Sequence, residues 1–256
     1  MMATLSHTLT RTVIIRASQS TVFRYFTDSA RWAAWWGAGS TVDPRPGGRV
    51  YVRYPDGTEA SGEILEIDPP RRIVFSYGYA SGKPIGPAGS RVTIELAVHA
   101  DGTKLMLTHD LPDATSRDEH VQGWRYQLSV FANVAADEAN AAITDAIDGW
   151  FATWSITDAG ERSRAFARIA ADGVQFRDRF SCIDGIAELV PHVGAAQHFM
   201  AGILLSRKGA VRHCQGTAIA DWTAAAPDGK VRGSGTNVFV VGADGKFVTV
   251  TGFWSA

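Results

Sequence analysis

The chain has 256 residues, with 25 basic and 26 acidic side chains and a formal net charge of −1 at pH 7. This length favours two domains of ordinary size, and the balanced charge gives no reason to expect nucleic acid or an anionic membrane as a partner. Cys182 and Cys214 are too few for a disulfide framework, so we expect a cytoplasmic protein with reduced thiols. The first residues lack the apolar core of a signal peptide, and no apolar run reaches the ~18 residues of a membrane helix.

The first half of the chain is predicted to consist mainly of strands. Two Asp-Gly pairs, at positions 56–57 and 101–102, separate runs of alternating polarity, which is the strongest short-range signal of a β-hairpin. A short helix after Ser18 or Ser20 and a tryptophan-rich helical segment, Arg31 to Gly37, precede these runs. The predicted strands are Thr8 to Arg16, Val50 to Tyr54, Thr58 to Ile67, Arg72 to Tyr79, Arg91 to His99 and Lys104 to His109.

The longest helical pattern follows this meander, from Asp118 to Ala136. Apolar residues recur in it at intervals of three and four, which places them along one face. This face must be buried, and we expect it to lie across the preceding sheet. The apolar residues are Val121, Trp124, Leu128, Phe131 and Val134.

The second half begins with helices and ends with strands. Ala139 to Asp158 and Ala159 to Ala171 are predicted helices, and a third, Asp184 to Met200, must be interrupted or kinked at Pro191. Helices followed by an antiparallel sheet indicate an α+β fold. The predicted strands are Val174 to Asp178, Ile203 to Arg207, Val211 to Ala224, Val231 to Gly242 and Phe247 to Trp254.

Three features of the first half resemble the helix-grip proteins of the SRPBCC (START-like) superfamily. They are the run from Gly62 to Phe75, the strand pair Arg91 to Thr108 with its Gly102-Thr103 turn, and Gly123-Trp124 with Leu128. Within that superfamily they are similar to the branch related to the activator of the heat-shock chaperone ATPase. The resemblance covers residues 8–138 and implies a seven-stranded antiparallel sheet around a long C-terminal helix, with a cavity for apolar molecules between them.

Aromatic side chains are the candidates for the wall of this cavity, because large rings serve either as core or as ligand contacts. No catalytic constellation is evident in this half, and His99, His109 and His120 do not have the spacing of metal ligands. His109 and Asp110 are predicted to be an exposed polar pair at a strand end. The candidate ligand-binding residues are Trp35, Tyr77, Tyr79 and Trp124.

The second half resembles the nuclear transport factor 2-like superfamily, and within it the SnoaL-like group. This resemblance covers residues 139–256 and implies a cone-shaped α+β domain with a bent antiparallel sheet, a pocket at its mouth and a homodimer formed through the sheet. The features that carry it are Trp154 with Asp158, the block Asp172 to Asp178, Gly216 to Trp222, Gly235-Thr236-Asn237, and Asp244-Gly245-Lys246 before Gly252-Phe253.

Ketosteroid isomerase and polyketide cyclases are enzymes of that superfamily, so candidate catalytic residues follow from the resemblance. Asp178 falls where the isomerase has its carboxylate base, and alternation along the strand gives it apolar neighbours. Trp150 falls where the isomerase has the phenol that donates to the oxyanion, and Asn237 falls where it has the protonated carboxylic acid that also donates. Neither Trp150 nor Asn237 is an acidic donor, so strong stabilisation of an enolate is not expected. Asp178 alternatively orients a ligand or pairs with Arg177 or Arg179.

Two further tryptophans of the second half, Trp154 and Trp222, are predicted to contact a ligand. Trp222 alternates with small residues, which suits a pocket wall as well as core packing. The leading hypothesis is a protein that binds a small apolar or aromatic molecule, with one pocket per domain. The alternatives are a SnoaL-like isomerase, cyclase or hydrolase that uses Asp178 as general base, and a chaperone-associated interaction protein. No cofactor and no metal are predicted.

Overall fold

The computed structural model describes residues 4–255. The chain folds into two compact units, Met1–Ala136 and Asp137–Ala256. Both units combine helices with a sheet of mainly antiparallel strands, which confirms the predicted α+β class. Within residues 4–255, no helix has both the length and the apolar character needed to cross a membrane.

The first unit is a seven-stranded antiparallel sheet with a long helix, as the resemblance implied. The strands are β1 (His7–Ile15), β2 (Thr41–Val42), β3 (Arg49–Arg53), β4 (Glu59–Asp68), β5 (Arg72–Tyr77), β6 (Ser90–His99) and β7 (Gly102–Leu111), in the order β1-β7-β6-β5-β4-β3-β2. The helices are α1 (Gln19–Arg24), α2 (Ser29–Trp36) and α3 (Ala114–Ala139).

Helix α3 buries the face that the periodicity predicted. Trp124, Leu128 and Phe131 are at most 3% exposed, and the Phe131 ring stacks on Phe26 at 5.2 Å between centroids. The hydroxyl of Tyr25 donates a hydrogen bond to the backbone carbonyl of Val134 at 2.8 Å. Burial of such large side chains stabilises each by about 1.5–3 kcal/mol, so this face attaches the helix to the unit.

Helix α3 starts earlier and ends later than the prediction from Asp118 to Ala136. Asp113 precedes it and accepts the N–H of Ser116 at 2.8 Å, the arrangement of a capping residue. The helix predicted from Ala139 to Asp158 is present but shorter, since α3 ends at Ala139 and the next helix runs from Ile143 to Thr153.

The second unit packs helices against a six-stranded sheet. Its helices are α4 (Ile143–Thr153), α5 (Ala159–Ile169) and α6 (Ile186–Phe199). Its strands are β8 (Ala170–Asp178), β9 (Ser181–Asp184), β10 (Leu204–Cys214), β11 (Thr217–Ala225), β12 (Val231–Val241) and β13 (Phe247–Trp254), in the order β10-β11-β12-β13-β8-β9, and only the β13–β8 pair is parallel.

Several boundaries of this sheet differ from the prediction: β8 begins at Ala170 instead of Val174, β9 was not predicted, and two later strands divide differently. The predicted strand from Val211 to Ala224 is divided by a two-residue turn at Gln215-Gly216, where both residues have positive φ, 48° and 81°. That geometry is the hairpin turn usually made by Asn-Gly. Because glutamine stands in the place of asparagine, the sequence contains no signal of a turn here. The predicted strand from Ile203 to Arg207 instead continues into β10, with a register shift between Lys208 and Arg212 around Gly209, whose φ is 75°.

A buried arginine joins helices α5 and α6 of the second unit. Arg162 is 3% exposed, and its guanidinium donates to the carbonyls of Val190 at 2.9 Å and Ile156 at 2.6 Å. Gly194 lies so close to the guanidinium that a Cβ atom there would approach Nη2 to 2.7 Å. Helix α6 continues through Pro191 instead of being broken by it.

Candidate ligand-binding cavities

The first unit contains a cavity of about 320 Å³ between helices α2 and α3 and the sheet. This volume is at the lower end of the range for small-molecule sites, about 300–1,000 Å³. All four residues predicted for the first site, Trp35, Tyr77, Tyr79 and Trp124, lie in its wall, together with Trp36, Tyr54, Glu119, His120, Tyr126 and Gln127.

A hydrogen-bonded chain of buried side chains supports this cavity. The indole N–H of Trp124 donates to Nδ1 of His109 at 2.9 Å, and Nε2 of His109 lies 2.7 Å from Oγ of Ser90. Ser90 in turn donates to the backbone carbonyl of Tyr77 at 2.7 Å. Since Ser90 uses its proton for that carbonyl, His109 must donate from Nε2 and accept at Nδ1, which fixes its neutral tautomer.

His109 and Asp110 are therefore not the exposed polar pair that the sequence predicted. His109 is fully buried, and burial lowers its pKa well below the ordinary value, with a further contribution from neighbouring His120. Asp110 is its neighbour along the strand and points to the opposite face, where it pairs with Arg91 at 2.8 Å. Strand alternation explains the difference between the two residues.

Among the other polar groups of this cavity wall are two phenols, two indoles and a second imidazole. The hydroxyls of Tyr54 and Tyr77 are 2.5 Å apart, and burial raises the pKa of both phenols. Nδ1 of His120 donates to the carbonyl of Ser116 at 2.6 Å, and burial lowers the pKa of His120. Among the described residues of this wall, three buried nitrogens have no hydrogen-bond partner: Nε1 of Trp35, Nε1 of Trp36 and Nε2 of His120.

The second unit contains a larger cavity, of about 490 Å³, with a wall made mainly of aromatic rings. The five residues predicted for the second site, Trp150, Trp154, Asp178, Trp222 and Asn237, all lie in this wall. Phe176, Phe180, Trp254, Phe199, Met200 and Leu205 extend its apolar surface, and Ser181 and His192 add polar groups.

We call the polar side chains of this cavity, Asp178, Ser181, His192 and Asn237, the polar strip. Asp178 is paired with Ser181 across the β8–β9 hairpin, and Oγ of Ser181 lies 3.0 Å from Nε2 of His192. Asp178 and Asn237 flank Gly252, where an added Cβ atom would lie 3.1 Å from the Asp178 Cβ and 3.0 Å from the Asn237 Oδ1. Glycine at position 252 thus lets these two side chains approach each other.

Both polar side chains that the sequence singled out are held in fixed orientations. Oδ1 of Asp178 accepts the backbone N–H of Phe180 at 2.8 Å, and Oδ2 accepts the indole N–H of Trp254 at 3.2 Å. Oδ1 of Asn237 accepts the indole N–H of Trp222 at 2.9 Å. An indole nitrogen can only donate, so the amide NH₂ of Asn237 remains available as a donor.

The predicted pairing of Asp178 with an arginine is not observed. Arg177 binds Asp184 at 2.5 Å, and the guanidinium of Arg179 lies over the Phe180 ring, 5.5 Å from its centroid. No Lys or Arg is among the residues of the cavity wall. Within the described part of the chain, no three metal-ligating side chains are grouped as in a metal site.

A family model matches the first unit. The model for Activator of Hsp90 ATPase homolog 1-like (AHSA1) proteins covers residues 16–136. The first unit is an AHSA1-like domain. Its seven-stranded sheet and long helix are the architecture that the sequence resemblance implied. No curated protein matches the chain.

Several solved structures are similar to parts of the chain. CalU16 from Micromonospora echinospora is 30% identical over 49% of this chain and 71% of its own, with a TM-score of 0.41. The Aha1 dimer from Colwellia psychrerythraea is 16% identical over 48% and 91%, with a TM-score of 0.42. A SnoaL-like family protein from Agrobacterium tumefaciens is 19% identical over 44% and 97%, with a TM-score of 0.43.

Sequence reasoning missed several residues of the two cavities. In the AHSA1-like domain it missed the pairing of Tyr54 with Tyr77 and the place of His120, whose position one turn before Trp124 on the buried face of α3 was the available signal. In the second unit it missed Ser181 and His192. Their contact joins a helix to a hairpin, and no local pattern predicts such a contact.

Proposed function

We propose that the protein binds small apolar or aromatic molecules, with one cavity in each unit. The observation that carries the proposal is the second-unit cavity, which combines a wall of aromatic rings with a single strip of oriented polar groups. Small-molecule sites typically have this composition, because apolar surface supplies affinity and a few polar groups set orientation. The cavity of the AHSA1-like domain has the same character, and its unpaired nitrogens add hydrogen-bonding capacity.

Native mass spectrometry of gently purified protein tests this proposal. We expect an excess mass that disappears on denaturation. Ala196 lies in the wall of the second cavity, so Ala196→Trp should fill the space and remove the mass that this cavity holds. Ala201→Trp is the matched control, because Ala201 is exposed and lies outside the wall. A bare wild-type mass, or equal retention by both variants, would contradict binding in the second unit.

A second candidate function is proton transfer at the same strip, with Asp178 as general base. The approach of Asp178 and Asn237 across Gly252 favours it, because a base and a hydrogen-bond donor then face the same space. An enolisable ketone is the appropriate substrate class. Turnover that is lost in Asp178→Asn while the ketone still binds would support catalysis, and unchanged turnover would exclude Asp178 as the base.

We also propose that the protein is cytoplasmic and forms a homodimer through the sheet of the second unit. Both cysteines are free and exposed, which suits a reducing compartment. Leu204 and Val231 are 59% and 58% exposed, and each pairs with Ala225 on the intervening strand. Light scattering should report a dimer that Leu204→Lys with Val231→Lys dissociates. A wild-type monomer would refute the dimer.

A further inference from the structure

The carboxylate of Asp178 is unusual because it stands in an aromatic cavity without an opposite charge. Its side chain makes no ion pair within residues 4–255, and Asp178 is the only Asp, Glu, Lys or Arg in the cavity wall. Asp178 is half-buried, and no charged side chain of the wall balances its charge. The two N–H donors on its oxygens orient it but carry no net charge.

Each carboxylate oxygen retains hydrogen-bonding capacity. An ionised carboxylate offers about four lone-pair positions, and one N–H occupies each oxygen of Asp178. The remaining positions are acceptors only. A ligand that meets them must therefore present a positive charge or a hydrogen-bond donor.

The rings around Asp178 supply the second element of a cation site. Trp254 contacts Trp222 edge-to-face at 4.9 Å and Phe180 edge-to-face at 5.3 Å between centroids, and its indole N–H binds the carboxylate. Trp150, Trp154 and Phe176 line the same cavity. The negative face of an aromatic ring attracts a cation within about 6 Å, and tryptophan does so most strongly.

Among the described residues no Lys or Arg lines this cavity, and Arg177 and Arg179 border a neighbouring pocket with Asp178. The nearest arginines along the chain are directed elsewhere, Arg177 to Asp184 and Arg179 to the face of Phe180. His192 is the one basic side chain in the wall, and Nε2 of its ring is engaged with Ser181. The negative charge of Asp178 and the ring faces therefore act together on whatever occupies the cavity.

We propose that the second-unit cavity selects an organic cation, an ammonium group attached to an apolar or aromatic body, with Asp178 as counter-ion and the tryptophans as the walls around the charge. This inference rests on the proposed small-molecule binding and adds the chemical class of the ligand. The body of the ligand lies against Phe199, Met200 and Leu205, and its charged group lies at the polar strip.

Calorimetric titration with two probes of equal shape tests the inference. Benzyltrimethylammonium carries the positive charge, and neopentylbenzene is its uncharged isostere. We expect the wild-type protein to bind the cation about tenfold more tightly than the isostere, since cation–π contacts and Coulomb attraction to the carboxylate act only on the cation. This comparison needs no variant.

Asp178→Asn then isolates the charge. We expect it to weaken binding of the cation about tenfold and to leave the affinity for the isostere unchanged. Asp172→Asn is the control, because it removes the same charge from an exposed position on the same strand. It should change the affinity for neither probe. Equal affinity for both probes in the wild-type protein would overturn the inference that the ligand is a cation, and small-molecule binding would still stand. Absence of cation binding also overturns it, and the native mass measurement then decides separately whether the cavity binds another ligand.

Discussion

The buried imidazole of His109 should make the stability of the AHSA1-like domain depend on pH. In the folded protein Nδ1 accepts the indole N–H of Trp124, so a proton on Nδ1 would break that bond as well as place a charge in the interior. Burial accordingly lowers the pKa of His109 well below 6.5, its ordinary value. In the unfolded chain the same ring is hydrated and titrates near 6.5.

The sign of the effect follows from this difference. Below pH 6.5 the unfolded state binds a proton that the folded state does not bind, so the free energy of unfolding decreases as the pH falls. The slope approaches about 1.4 kcal/mol per pH unit between 6.5 and the lowered pKa of folded His109. Above 6.5 both states are neutral at this site, and the contribution is constant.

Amide hydrogen exchange followed by mass spectrometry measures the opening free energy of β7, which contains His109. The decisive comparison is between wild type and His109→Gln, because glutamine retains an acceptor for Trp124 and a donor for Ser90 but does not titrate. We expect the variant to lose up to about 1.4 kcal/mol per pH unit of the acid-dependent slope. His99→Gln is the control, because His99 is exposed on the adjacent strand. Equal slopes for wild type and His109→Gln would refute a neutral buried imidazole.

Three other changes test separate contacts. Arg162→Met should destabilise the second unit by about 3 kcal/mol, because it removes buried charge-assisted hydrogen bonds to backbone carbonyls; exchange of α5 amides measures this, and unchanged protection would contradict it. Gly252→Ala should weaken cation binding roughly fivefold by calorimetry, since the new methyl group crowds Asn237. Tyr54→Phe should destabilise the AHSA1-like domain by about 1 kcal/mol, because Tyr77 loses its hydroxyl partner; equal exchange in β5 would count against this.

Local signals were sufficient to predict most of the fold. The Asp56-Gly57 and Asp101-Gly102 turns divide strands where the structure divides them, because an Asp-Gly pair readily adopts the positive φ that a tight hairpin needs. The stripe on α3 predicted its buried face, because spacings of three and four residues return to the same side of a helix. Gln215-Gly216 makes the same kind of turn, but glutamine seldom adopts positive φ. The sequence therefore did not indicate a hairpin at this position.

The polar parts of the cavities were harder to predict, because their partners are distant in the sequence. The place of His109 at a strand end predicts an exposed side chain, yet its partners Ser90 and Trp124 come from a neighbouring strand and from α3. Strand alternation alone would have placed it on the buried face with Leu105 and Leu107. A buried polar residue depends on such partners, and sequence patterns do not contain them.

The two roles of Asp178, general base and counter-ion, differ in what they require of Asn237. Removal of a proton next to a carbonyl needs a donor for the developing oxyanion, and Asn237 offers a neutral amide NH₂ whose orientation is fixed by Trp222. A neutral donor stabilises an oxyanion less than an acidic one. Binding of a cation requires a carboxylate and aromatic rings in one cavity, and Asp178, Trp222 and Trp254 lie together in this one. We therefore expect recognition of a cation rather than enolisation at this strip.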